Sequence, residues 1–183
     1  YLAGFLAGNV SKYFSHSFLE QELNFLSEEI DIKLNDTYTP NSTLHVLSQP
    51  YDTGGHTKLV EQWIKNFGFQ DNHSAVIINH KCAIPNSFKD IITQNGTIFQ
   101  LKKGDFETKA KQLALVASNF EKVILHIHPF EILANLAFAN SHFTRPVGFL
   151  NHADHMFSCG YAVSDVVFEL STEGKEFSKT YRG

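Results

Sequence analysis

From residue 43 onward, short runs rich in β-branched and aromatic residues alternate with stretches of helical periodicity, and this alternation constrains the fold most. The runs are Thr43 to Leu47, Ala75 to Ile78, Thr97 to Leu101, Val123 to Ile127, Pro146 to Leu150 and Val166 to Leu170. Between the first two, Leu59, Val60, Trp63, Ile64 and Phe67 form an apolar helical stripe. A short helix is expected after Pro85, carrying Phe88, Ile91 and Ile92. Further helices are expected over roughly 105–119, 131–140, 153–161 and 173–181. Strands alternating with helices bury both faces of a parallel sheet, through right-handed crossovers.

The expected fold is therefore α/β: a doubly wound, mainly parallel six-stranded Rossmann-like sheet with helices on both faces. Ahead of it, Leu2, Leu6, Val10, Tyr13 and Phe14, then Phe18, Leu19, Leu23, Leu26 and Ile30, recur at spacings of mostly three and four. That is one face of a helix or of two helices in tandem. Asn35-Asp36 and Thr39-Pro40-Asn41 then interrupt the pattern. The division is a helical extension over 1–36 and an α/β domain over 37–183. The chain starts with Tyr rather than Met, so a piece of a longer protein is expected.

Ligands of an open parallel sheet bind beyond the carboxyl ends of its strands. The second strand runs out in Asn79-His80, the fourth in His126-Ile127-His128-Pro129, and the fifth in Asn151-His152-Ala153-Asp154-His155. The first leads into Asp52-Thr53-Gly54-Gly55-His56-Thr57. Any one of these polar residues could cap a helix or fill a loop. Their convergence on one edge points instead to a site. Two glycines before a helix let a ligand approach the backbone, and the first N–H groups of the helix can hold an anion such as a diphosphate. A tight turn whose glycines need positive φ is the alternative reading of Gly54-Gly55.

Three chemistries fit these residues. His152-Ala153-Asp154-His155 is half of the HxHxDH string of metallo-β-lactamase-like hydrolases, with Leu150 where the first His would stand. His128 or His80 could supply a third zinc ligand. Nucleophilic hydrolysis lacks a GxSxG elbow. General acid–base work suits imidazoles that titrate near neutral pH. The carboxylate orienting them could be Asp154, Asp165 or Glu131. Net charge is −4 with ten His counted neutral, and no basic run is present, which argues against nucleic acid.

Gly54-Gly55-His56-Thr57 with Val60 and Trp63, followed by NHADHxFxxGxxxxD from Asn151 to Asp165, resembles bacterial glycosyltransferases of the two-Rossmann-domain (GT-B) type. The likeness covers roughly residues 43 to 183, on the N-terminal, acceptor-side half. It implies transfer of a sugar from a nucleotide-sugar donor to a carbohydrate or lipid-linked acceptor, with no metal or other cofactor. Carried over by position, Gly54, Gly55, His56 and Thr57 would lie near the donor diphosphate, with His128 and His80 on the same rim. His155 or His152 would face the acceptor hydroxyl, with Asp154 beside them. A C-terminal Rossmann domain, which would hold most of the nucleotide, does not follow within this sequence, so the piece alone is expected to be inactive or nearly so.

The competing readings are a metal-dependent hydrolase using His128, His152, Asp154 and His155, and a non-catalytic doubly wound binding module. Cys82 and Cys159 form no CxxC and fit a reducing, cytoplasmic setting, with buried structural roles. No run approaches the ~20 apolar residues of a membrane span. The opening YLAGFLAGNV has neither basic lead nor cleavage site, unlike a signal peptide. Peripheral attachment at the inner membrane face would suit a lipid-linked acceptor. The polar face of the first 36 residues is acidic, however, with Glu20, Glu22, Glu28 and Glu29 against Lys12 and Lys33. Packing on the sheet, or on another copy in a homodimer, is the expected fate of that segment.

Overall fold

The computed structural model describes residues 1–9, 14–67 and 71–182, and of Phe67 the backbone alone. Val10, Lys12, Tyr13 and the Phe67 side chain, used in the sequence reading, lie outside the described residues. The lead-in is two helices, α1 (Leu2–Gly8) and α2 (Ser17–Glu28). His16 caps α2, its Nδ1 accepting the Leu19 N–H at 3.2 Å. The remaining elements are β1 (Thr39–Leu47), α3 (Gly55–Phe67), β2 (Asn72–Ile77), α4 (Asn86–Ile92), β3 (Ile98–Gln100), α5 (Phe106–Ala117), β4 (Phe120–His126), α6 (Leu133–Phe138), β5 (Val147–Asn151), β6 (Val166–Glu169) and α7 (Thr172–Tyr181).

All six strands are parallel, in the order β3-β2-β1-β4-β5-β6. This is the doubly wound, Rossmann-like order, and it reverses direction between β1 and β4. Alternate residues face opposite sides of a strand. On one side Leu44, Val46, Val123, Leu125, Val147 and Phe149 pack beneath α5 and α6, joined by Leu23 of α2. On the other, Leu47, Ala75 and Ile77 pack beneath α3 and α4 through Val60, Ile64, Phe88 and Ile92. Burial on both faces explains why the strands read as near-continuous apolar runs.

Phe149 is 2% exposed and stands edge-on to Tyr161, ring centroids 5.1 Å apart. Phe149→Ala leaves a cavity that neighbours on a hydrogen-bonded sheet cannot close. Its expected cost is about 3–5 kcal/mol, read as a lower urea midpoint at unchanged slope.

One expected element is absent. No helix forms over 153–161; residues 152–165 link β5 to β6 as turns and bends. The polar side chains and Gly160, at φ +102°, favour local turns over a helical ladder. Tertiary bonds hold the segment instead: the Cys159 N–H donates to the Pro129 carbonyl at 2.8 Å, and the Ser158 N–H to that of Phe14 at 3.2 Å. Cys159 is buried with Ala3, Leu6 and Phe157, and burial pushes its thiol up to about 12. Among the described residues, no helix is long and apolar enough to cross a membrane.

Candidate functional site

The reversal between β1 and β4 opens a crevice at the carboxyl edge of the sheet. The β1–α3 loop forms one wall. Within it the Thr57 hydroxyl accepts the Tyr51 N–H at 2.8 Å, which folds the loop back over the start of α3. Thr57 is thus committed to the loop. The first N–H groups of α3 have no acceptor within the helix, which leaves the positive end of its dipole at the crevice. Neither Gly54 nor Gly55 has a left-handed φ, so turn geometry does not demand them. A Cβ on Gly54 would lie 2.8 Å from the Tyr51 Cβ, whereas one on Gly55 would meet nothing within 4 Å. Gly54 is needed for close packing, and Gly55 leaves open space at the helix start.

Beside this loop, rings from three connections converge. His56, at the start of α3, lies 5.4 Å from His152 after β5 and 5.7 Å from His128 after β4, centroid to centroid. Tyr51 stacks on His128 at 6.0 Å and meets His56 edge-on at 5.4 Å. The Tyr51 hydroxyl stands 3.5 Å from His128 Nε2. The backbone fixes these rings. His56 Nε2 lies 2.7 Å from the Gln49 carbonyl oxygen. A carbonyl only accepts, so Nε2 carries the proton, and the lone pair of the neutral ring is on Nδ1. By the same reasoning His152 donates from Nδ1 to the Leu150 carbonyl at 3.4 Å, leaving its Nε2 bare. The His128 N–H donates to the Ser48 hydroxyl at 2.9 Å.

Burial, then the neighbouring His56 and His152, bring His128 down to about 4. Burial and His56 lower His152, against a smaller opposing effect of the Leu150 carbonyl. Both rings are therefore neutral at neutral pH and can accept a proton or donate a hydrogen bond. Glu131, next to His128 in the β4–α6 connection, is raised by burial, against the Leu133 N–H, the Ser48 hydroxyl and Lys109.

Other residues anticipated for the site lie elsewhere. His155 exposes 79% of its side chain, and its Nδ1 lies 3.5 Å from the Asp154 carboxylate. Asp154 does not reach the ring cluster; its carboxylate lies against Gly174 of α7. Asp165 accepts the Val147 N–H at 2.8 Å, at the opposite, amino-terminal edge of β5. It cannot orient a histidine of the crevice, and backbone carbonyls do so in its place. His80 follows β2 but stays outside the cluster. Its two ring nitrogens are shielded and unpartnered. Burial lowers its pKa, followed by Lys109, Lys81 and Lys103. Among the described residues no group of three His, Cys, Asp or Glu is arranged to hold a metal ion.

The sequence reading missed Tyr51, Gln49, His45 and His73, and took His126 only as a strand end. Inside the sheet, under the cluster, His45 contacts both His126 and His73. An interior histidine at a core-facing position of each of three strands was the available signal. Comparison with known family models, curated proteins and solved structures found no match for this chain.

Proposed function

We propose that this chain is the acceptor-side domain of a two-Rossmann-domain glycosyltransferase. In this reading the donor diphosphate lies over Gly54 and Gly55 at the start of α3, where N–H groups and the helix dipole favour negative charge. The acceptor hydroxyl faces His152. Its oxygen attacks the anomeric carbon, its proton passes to His152 Nε2, and the bond from the anomeric carbon to the diphosphate oxygen breaks. The leaving nucleoside diphosphate gains its negative charge beside the helix start. The chain's own residues supply orientation and proton transfer.

One observation carries the reading: His56, His128 and His152, from three connections, meet at the reversal point of the sheet, where His56 directly follows the open Gly55. An anion site beside neutral imidazoles suits a reaction that releases a diphosphate and takes up a proton. The Asn151-to-Asp165 segment contributes His152 to this group. The exposed His155 follows three residues later in the same loop.

The natural reading frame tests the proposal. About 200 further residues of alternating strand and helix are expected beyond Gly183, the size of a second such domain. That longer protein should release a nucleoside diphosphate from a nucleotide sugar when an acceptor is present. Failure to do so across uridine, guanosine, cytidine and thymidine nucleotide sugars would contradict the proposal. A local substitution tests the loop. Gly55→Ala places its methyl in open space at a helical position. Thermal stability should therefore hold or rise, by about 0.4–1 kcal/mol, while binding of inorganic pyrophosphate weakens. Unchanged pyrophosphate affinity by calorimetry would remove Gly55 from the site.

A further inference from the structure

Below the ring cluster, on the α3 side of the sheet, three more histidines run diagonally across the strands. His73 of β2 is level with Thr43 of β1. His45 stands two residues further along β1, and His126 of β4 is level with Leu47, two further again. Residues two apart share a face, so the stagger passes from ring to ring across adjacent strands. His126 Nε2 lies 3.0 Å from His45 Nδ1, and His45 Nε2 lies 3.1 Å from His73 Nδ1. All three residues are buried. Trp63 stands edge-on to both His45 and His126 and walls the chain from α3. At the crevice end, His126 Nδ1 is buried without a partner, and the ring lies close enough to feel charge on His152 and His56.

A neutral imidazole has one N–H and one lone pair. Two ring-to-ring bonds in series then allow only two arrangements, with every proton on Nε2 or every proton on Nδ1. Mixed tautomers break a link. Either set places one N–H at an end of the chain, on His73 Nε2 in the first and on His126 Nδ1 in the second; the relay starts from the first, in which His126 Nδ1 is an open acceptor at the crevice end.

We propose that His126, His45 and His73 form a proton relay linking the ring cluster at the crevice to the amino-terminal edge of β2. A proton from His152 or His56 bonds to His126 Nδ1. The His126 Nε2–H bond breaks and that proton passes to His45 Nδ1. The His45 Nε2 proton passes to His73 Nδ1, and the proton of His73 Nε2, a nitrogen itself buried, leaves to water admitted at the edge where Asp71 and Asn72 are part-exposed. One proton enters, one leaves, and no electrons are transferred. All three rings end as Nδ1–H tautomers, and the reverse passage resets them. Burial, followed by His73, holds His45 at about 3, so the excess charge only passes through.

The relay does not depend on which ligand fills the crevice, and its test needs none. In the histidine-15N-labelled chain at neutral pH, long-range proton–nitrogen correlation should show all three rings in one tautomer, with scalar couplings across both ring-to-ring bonds. Nitrogen relaxation dispersion should show one shared exchange process for the three. His45→Phe should abolish that exchange at His126 and His73. If this variant does not fold, the wild-type spectra decide alone. Mixed tautomers, or a common tautomer without shared exchange, would reduce the chain to a static strut and overturn the proposal.

Discussion

In the proposed two-domain glycosyltransferase, His152→Ala is expected to slow sugar transfer by about 10²- to 10⁴-fold, the usual contribution of a positioned general base. The expectation rests on three features of the ring. Its Nδ1 is tied to the Leu150 carbonyl, so the Nε2 lone pair is the available one. Burial and His56 lower its affinity for protons, so the lone pair is free at neutral pH. It also stands 5.4 Å from His56, at the wall that holds the helix start. The loss should fall on kcat, with KM for the donor little changed, because the proposed diphosphate contacts belong to the β1–α3 loop. His155→Ala provides the comparison. Its ring is largely exposed, beside Asp154, and its loss should matter less. Steady-state rates for both variants measure this. If neither changes turnover, the proton acceptor lies elsewhere.

Acidification should destabilise the fold well before most carboxylates are protonated. His45 falls from 6.5 to about 3 through burial and His73. His126 lies well below its ordinary value through burial, His45, His152 and His56. His128 falls to about 4, and His152 is also lowered. Above pH 6.5 these rings are neutral in both folded and unfolded chains and contribute nothing to the pH dependence. Between 6.5 and the folded values the unfolded chain binds protons that the folded chain refuses, so stability is lost as pH falls. For His45 alone, the drop from 6.5 to about 3 corresponds to about 5 kcal/mol across the window. Net stabilities are only about 5–15 kcal/mol. Glu20 and Glu131 act in the opposite sense, since burial raises both and the folded chain takes up their protons first. The depressed imidazoles outnumber these two carboxyls. Urea midpoints should fall steeply from pH 7 to pH 4, and His45→Phe, if folded, should flatten that fall. A midpoint constant over this range would contradict the burial of the imidazoles.

The alternation of apolar runs and helical stripes gave the sheet and the placement of its strands, because a parallel sheet covered on both faces leaves uninterrupted hydrophobic segments. Pro85 marked one helix start and the range 105–119 placed another, where Asp105 caps α5 by accepting the Thr108 N–H at 2.8 Å. The segment after Asn151 misled the reading. A short helix was expected there, but the Ser158, Cys159 and Asp165 N–H groups bond to distant carbonyls instead. Within the site, His128, His152, His56 and Gly55 were legible from strand-end position. The imidazole chain was not, since His45, His73 and His126 meet only through strand order and register. Neither can be read from one strand at a time. Asp165 was placed with the histidines by proximity in sequence, but a crossover carries it to the far edge of the sheet.

The central claim is that imidazoles and a helix start form one anion-receiving site at the reversal point of the sheet. The most direct measurement is titration of the 15N-labelled chain with inorganic pyrophosphate, followed by NMR at neutral pH. The account expects saturable shifts at the Gly54, Gly55, His56 and Thr57 amides, with matching changes in the His56, His128 and His152 rings. Saturable shifts confined to another surface, or none at these positions up to about 10 mM, weaker than an affinity of about −3 kcal/mol, would contradict it.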